Sequence, residues 1–370
     1  MKVALVHDYL NDFGGAERVL ATLAEIYPNA PIYTIYCKRG SPAGKFFNNK
    51  KIIQSWFGHL PFANILISPL RFLIPFIWVQ FNFKDYDLVI TSASWAVTKG
   101  MRNAKKEICY LHTPPRYLYG YDTSRNWKGK WYTPAVEAYA LIVNHFMRIY
   151  DFQQAQKVDH FIVNSAGVGE RVKKFYRRND YTVIYPPADL KKFNYQSSII
   201  NHSRKYYLTG GRMTAAKNFD LIIRTCQKLN LTLKIFGTGI EENKLRKIAG
   251  KNVEFLGRVS DEELASLYQN AKTFIVAQAD EDFGITPIEA NAAGTPVIAF
   301  KGGGYLETVI DGQTGLFFDE LTVDSLVKAI KQFEKSKFYT KILTAHAQAF
   351  SKENFQKQFR SYIKEACPKS

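Results

Sequence analysis

Short apolar, β-branched runs alternate with helical patterns along almost the whole chain, and the rhythm starts twice. In the first half the strand candidates are Val3–His7, Ile32–Cys37, Asp87–Thr91, Ile108–His112, His160–Asn164 and Thr182–Tyr185. Helical stretches such as Ala16–Ile26, Pro134–Val158 and Ala166–Phe175 lie between them. The second series runs Tyr206–Thr209, Leu231–Phe236, Val253–Leu256, Thr273–Ala277, Val297–Phe300 and Gly315–Phe318. Its helical stretches are Asn218–Leu229, Asp261–Asn270, Pro287–Ala293 and Val323–Phe333. Strands that take turns with helices pair in parallel and carry helices on both faces. Two such series in 370 residues predict two doubly wound α/β domains. The joint falls in the polar, proline-led stretch from Pro186-Pro187 to about Arg204, which divides the chain into residues 1–188 and 189–351 with a tail beyond.

The charge balance narrows the partners. Fifty Lys and Arg against 33 Asp and Glu leave a net charge of +17. Residues 1–188 carry 24 basic and 13 acidic side chains, so most of the excess sits in the first half. A surplus of this size favours an anionic partner: phosphorylated substrates, a membrane surface or nucleic acid. Nucleic-acid binding is disfavoured because no nucleic-acid module fits the α/β rhythm. Cys37, Cys109, Cys226 and Cys367 lie far apart without a C-x-x-C pair. That argues against a zinc ribbon or a disulfide framework and fits the reducing cytoplasm. Lys2 is followed by only four apolar residues, which is no signal peptide.

In such folds ligands sit beyond the carboxyl ends of the strands, and four segments there can carry chemistry. Asp12-Phe-Gly-Gly-Ala-Glu17 follows the first strand and opens a helix, where Gly14 and Gly15 let backbone approach an anion. A plain βα turn is the alternative. His112, in Leu111-His-Thr-Pro-Pro-Arg116, ends a strand and is either a polar contact, an acid–base group or a satisfied polar residue. Gly210-Gly-Arg-Met-Thr-Ala-Ala-Lys-Asn218 places Arg212 and Lys217 where a diphosphate would suit them, or leaves them solvated. Asp280-Glu-Asp-Phe-Gly-Ile-Thr-Pro-Ile-Glu-Ala290 holds Glu281 and Glu289 around the amides of Phe283, Gly284 and Ile285. In that segment Thr286, Pro287 and Glu289 also fit an N-cap, first turn and capping partner. No G-x-G-x-x-G or G-x-x-x-x-G-K-[ST] occurs. Asp85-Tyr-Asp87 and Asp280-Glu-Asp282 are the two D-x-D strings of the sequence, and neither is read as a metal site.

Together with Phe236-Gly-Thr-Gly239, Leu256-Gly-Arg258 and Gly294-Thr-Pro-Val297, these segments make the chain resemble the retaining glycosyltransferases of family 4 over essentially its whole length. The resemblance implies the GT-B fold, two Rossmann-like domains facing a central cleft. It implies Glu281 at the donor sugar and Glu289 at the nucleotide ribose. Arg212 and Lys217 would grip the diphosphate, assisted by the amides around Gly284-Ile285 and by Gly15. His112 would lie near the sugar and Arg258 would flank the base. The helix from about Lys352 would return to the first domain. No cofactor or metal is implied, since the nucleotide-sugar is a substrate. By resemblance the donor is GDP-mannose first and a UDP-sugar second, as in bacterial O-antigen and exopolysaccharide mannosyltransferases. A lipid-linked saccharide at the inner membrane face is the implied acceptor. A sugar-nucleotide epimerase is the rival within this architecture.

Two stretches of the first half bear on the acceptor. Ile52–Phe83 carries one formal charge, Arg71, and is interrupted by Pro61, Pro69 and Pro75. It reads as a surface-lying amphipathic element meeting anionic lipid, the alternative being a buried helical hairpin. Arg116–Tyr132, with Arg125 and Lys128, is rich in Tyr, Trp and basic residues that suit sugar stacking or remain a solvated loop.

Overall fold

The computed structural model describes residues 1–121, 133–193 and 204–367. Arg125, Lys128 and most of the joint before Arg204 therefore lie outside the described residues. The chain divides into two compact units, Met1–Pro187 with Phe355–Ser370, and Ala188–Asn354.

The first unit is built on seven strands: β1 Val3–His7, β2 Ile32–Thr34, β3 Ile52–Gln54, β4 Leu88–Ala93, β5 Glu107–Leu111, β6 His160–Val163 and β7 Tyr181–Val183. They lie in the order β3-β2-β1-β4-β5-β6-β7, every pair parallel. The second unit carries six: β8 Tyr206–Gly210, β9 Leu233–Phe236, β10 Val253–Gly257, β11 Ala271–Val276, β12 Val297–Phe300 and β13 Gly315–Phe318. Their order is β10-β9-β8-β11-β12-β13, again all parallel. β1, β4 and β5 are buried along their whole length, as strands covered by helices on both faces must be. The strand order reverses between β1 and β4 in one unit and between β8 and β11 in the other. At such a switch point the flanking loops diverge and open a crevice. Both units match the doubly wound α/β expectation.

The helix Lys352–Ala366 lays Phe355, Phe359 and Ile363 into the core under β1 and the helix Gly15–Ile26. Its i, i+4, i+8 spacing gives one apolar stripe.

Ile52–Phe83 is neither of the two simple alternatives. It opens as edge strand β3, which the alternation of the sequence did not reveal, and continues through the short helices Ala63–Leu66 and Ile74–Val79. Phe57, Ile74, Ile77, Trp78 and Phe83 are buried in a core beneath the sheet. Phe62, Ile65, Phe76 and Val79 stay exposed. The prolines keep each helix too short to bury every apolar side chain.

Lys99 and Asp151 form an ion pair with both side chains fully buried. Tyr119 donates to the other Asp151 oxygen at 2.6 Å, and the lysine lies over the Tyr176 ring at 4.9 Å. Removing one partner strands the other charge away from water. Lys99→Met should therefore cost about 3–5 kcal/mol in chemical denaturation. Lys99→Met with Asp151→Leu should recover most of that loss. A single variant within about 1 kcal/mol of wild type would refute this account of the pair.

Candidate active site

In the second unit, β8 ends at Gly210 and the chain turns through Gly211 and Arg212 into the 3₁₀ turn Ala215–Lys217 and the helix Phe219–Lys228. Asn218 adopts left-handed backbone, φ 50°, at the start of that helix, and its side-chain amide donates to the Ala277 carbonyl at 2.7 Å. This bond ties the loop after β8 to the loop after β11. Lys217 Nζ consequently reaches Glu281 Oε2 at 3.6 Å. Both side chains remain about one-quarter exposed, so the pair is a weak one. Tyr305 Oη donates to the same Glu281 oxygen at 3.5 Å. Arg212 is exposed and makes no ion pair among the described residues. The structure thus joins Lys217 to Glu281 but not Arg212 to either.

Gly284, at φ 86°, precedes the helix Ile285–Ala292. A Cβ there would lie 2.8 Å from the Tyr305 ring, so both conformation and space demand glycine. The first amides of a helix have no partners within it and carry its positive end. Phe283 is buried, whereas Ile285 and Thr286 are half-buried. Gly304 N–H donates to the Glu281 carbonyl at 2.8 Å, and a Cβ on Gly304 would strike Phe283 at 2.3 Å. The Gly302–Gly304 run is therefore a backbone floor beneath Glu281. Glu289 is buried on the helix itself. The capping-box alternative fails: the helix starts at Ile285 behind Gly284, which puts Glu289 more than a turn inside. Arg258 is exposed after β10 and lines an open hollow of about 310 Å³ with Leu256, Val259, Glu263, Ser266 and Leu267.

In the first unit, Gly14 precedes the helix Gly15–Ile26. Gly14 N–H donates to Glu17 Oε2 at 2.8 Å, and a Cβ on Gly15 would meet nothing within 4 Å. His112 follows β5, is buried, and contacts the Ser92 hydroxyl through Nε2 at 2.9 Å. Asp8 is buried and accepts from Ser94 N–H at 3.1 Å, Ser94 Oγ at 2.7 Å, Trp95 N–H at 2.6 Å and the Thr98 hydroxyl. One carboxylate thus fixes the first part of the loop after β4, from Ser94 to Thr98.

Sequence reasoning missed Ser92 and Tyr305, and gave no role to His7, Asp8 or Glu17. The available signal was a polar residue closing an apolar strand, as in Val3–His7 and in Thr91-Ser92 within β4.

Two family profiles match consecutive parts of the chain: Glycosyltransferase Family 4 over residues 13–192, and Glycosyl transferases group 1 over residues 191–356. The GtfA subunit of a UDP-N-acetylglucosamine–peptide N-acetylglucosaminyltransferase from Streptococcus parasanguinis is 28% identical over 221 residues, covering 55% of this chain and 42% of that protein. The chain therefore spans less than half the length of that relative. The α-1,3/1,6-mannosyltransferase ALG2 of Dictyostelium discoideum is 26% identical over 85% of both chains. Among solved structures, Anabaena HepE in complex with UDP and glucose superposes with a TM-score of 0.70 at 19% identity, over 98% of this chain and 99% of that one.

Gly284→Ala should cost about 1–2 kcal/mol from the left-handed backbone, before any displacement of Tyr305. If GDP or UDP raises the melting temperature of the wild type, the same substitution should abolish that shift. A variant that melts like wild type and keeps that shift would remove Gly284 from the site.

Proposed function

Since this chain belongs to the family 4 glycosyltransferases, we propose that it moves a hexose, with retention, from a nucleotide diphosphate sugar to a saccharide acceptor in cell-surface polysaccharide synthesis. The observation that carries this reading is the meeting of Lys217, Glu281 and the Gly284–Ile285 helix terminus at the switch point of the second sheet. A cation and free amides there suit a diphosphate, and a carboxylate beside them suits sugar hydroxyls.

Transfer breaks the bond between the anomeric carbon and the phosphate oxygen, and positive charge grows on the sugar while negative charge grows on the diphosphate. Lys217, Arg212 and the helix amides would stabilise the departing diphosphate, the dominant electrostatic contribution. Glu281 would hold the sugar and Glu289 the ribose, with Phe283 shaping the turn between them. The acceptor oxygen would attack from the face the phosphate leaves, and the leaving phosphate oxygen would take its proton. The protein cations make a metal or cofactor unnecessary in this scheme. In the first unit, Gly14, Gly15 and His112 would serve the donor and Arg258 in the second would flank the base.

GDP-mannose is the favoured donor, supported by the mannosyltransferase relative aligned over 85% of both chains. A UDP-sugar is the second reading, supported by a structural neighbour that holds UDP and glucose. Glu281→Gln and Lys217→Ala should each lower transfer by about 10²–10³-fold with melting temperatures near wild type. Wild-type turnover in either would overturn the site. Transfer from GDP-mannose and from UDP-sugars, each with and without EDTA, separates the donors and tests the metal-free scheme.

We also place the acceptor at an anionic membrane face. No described helix is long and apolar enough to cross a membrane. Phe62, Ile65, Phe76 and Val79 are exposed, as are Leu141, Ile142 and Phe146 on the helix Thr133–Ala155. Arg71 bolts these two sets together: Nε donates to Asn144 at 2.9 Å and the guanidinium lies 4.8 Å from the Tyr139 ring. The positive excess of the first half complements anionic headgroups. Phe62 is held at φ 60°, a strained conformation for an aromatic residue, and the residue is 71% exposed. Phe62→Asn should keep or raise stability, because asparagine tolerates that backbone. It should still weaken co-sedimentation with anionic phospholipid vesicles several-fold. Unchanged sedimentation in Phe62→Asn and Phe76→Ser would refute the membrane face.

A further inference from the structure

One buried side chain touches the candidate donor site without a task in the scheme above. Tyr305 is 1% exposed, and its hydroxyl reaches Glu281 Oε2 at 3.5 Å. It stands on the single helical turn Tyr305–Thr308, which follows β12 and the run Lys301-Gly-Gly-Gly304. Three contacts fix that turn. Thr308 Oγ1 donates to the Gly304 carbonyl at 3.2 Å, and His346 Nε2 donates to the Thr308 carbonyl at 3.1 Å. Gly304 N–H donates to the Glu281 carbonyl at 2.8 Å. Gly303, at φ 54°, has no room for a Cβ, which would lie 2.5 Å from the same carbonyl oxygen. Adjacent residues of one run therefore hold Glu281 twice, Gly304 at its backbone and Tyr305 at its carboxylate.

We propose that Tyr305 is the positioning residue for Glu281: it holds Oε2 and leaves Oε1 to accept from the hydroxyls of the donor sugar. The inference rests on the donor-site reading above and deepens it. The direction of the bond follows from the groups themselves, since a carboxylate accepts and a phenol beside it has a proton to give. The Tyr305 hydroxyl is closed off from water, so it needs a protein partner. Glu281 Oε2 is the side-chain acceptor within its reach among the described residues. Lys217 Nζ lies 3.6 Å from the same oxygen, and no described residue contacts Oε1.

The two donors on Oε2 differ in what a ligand would do to them. Lys217 is about one-quarter exposed and would turn to a bound diphosphate. Tyr305 stays, because its ring is buried against Gly284, where a Cβ would lie 2.8 Å from it. Without that phenol, Glu281 would be free to rotate about its side-chain bonds once the lysine left. Binding the sugar would then cost the ordering of those bonds. A carboxylate already fixed at one oxygen avoids that cost. The donor is also constant in charge: burial, followed by the charge and hydrogen bond of Glu281, raises the Tyr305 pKa well above the ordinary tyrosine value. The phenol therefore keeps its proton throughout the physiological range.

The contact and its role are tested separately. In the ligand-free full chain, labelled with ¹³C at the tyrosine Cζ, Tyr305→Phe identifies the Tyr305 signal. Glu281→Ala should shift that signal, because the phenol loses its acceptor. A Tyr305 signal that ignores Glu281→Ala overturns the proposal. Calorimetry with GDP-mannose, UDP-glucose, GDP and UDP then reads the role. Tyr305→Phe should melt near wild type and weaken binding of the nucleotide-sugar by about 10-fold, while the nucleotide alone binds as it does to wild type. In the Glu281→Ala background, Tyr305→Phe should add nothing. Equal weakening of nucleotide and nucleotide-sugar overturns the positioning role, and so does an undiminished effect of Tyr305→Phe in that background. Absence of binding by all four ligands, or wild-type binding of the nucleotide-sugars to Glu281→Ala, defeats the donor-site reading and with it the role at the sugar. The Cζ shift still decides the contact in that case.

Discussion

Parallel pairing of β1 with β4, and of β8 with β11, determines where the chemistry of each unit can lie. Strands buried on both faces admit few polar side chains along their length, because an unpaired polar group there costs free energy. Polar residues are tolerated at the carboxyl ends, where loops supply partners and the diverging connections admit solvent or ligand. His7, Asp8, Ser92 and His112 occupy those ends in the first sheet. The loops that carry Lys217 and Glu281 leave the corresponding ends in the second. Asp8 shows how such a position is stabilised: its carboxylate collects two backbone N–H groups and two hydroxyls from one short loop.

The alternation of strand and helix was legible because each element is long enough to show its own period. Asp261–Asn270 and Val323–Phe333 fold over the residues that their patterns mark. β3 was not legible. Its three residues, two isoleucines and Gln54, are half-buried at a sheet edge and are too few to show a strand period. The stretch Ile52–Phe83 conceals a division between buried and exposed side chains that only the left-handed turn at Phe62 and the prolines create. The candidate donor site was legible as motifs, yet its geometry was not. Nothing in the segment Asp280–Ala290 announces that the helix starts behind Gly284, which removes Glu289 from a capping role. The contacts of the Ser92 hydroxyl with His7 at 3.1 Å and with His112 at 2.9 Å were even less accessible, since they depend on strand register: a one-residue slip would turn His7 to the other face of the sheet.

Two lysine–carboxylate pairs show how burial assigns different tasks to the same chemistry. Lys99 and Asp151 are wholly buried, and separating them would leave a charge in an apolar interior. That pair is committed to the fold and holds the long helix Thr133–Ala155 to the loop after β4. Lys217 and Glu281 keep about a quarter of their surface in water, and solvent screens their attraction to roughly 1 kcal/mol or less. Giving up so weak a contact costs little, so in the proposed scheme Lys217 would exchange a single carboxylate for the greater charge of a diphosphate. A buried pair at the same place would have opposed that exchange by several kcal/mol. The half-exposed position therefore suits a donor site that must bind, lose a charged product and reset. The Gly304 N–H meanwhile holds the Glu281 backbone through its carbonyl, a contact that does not depend on Lys217.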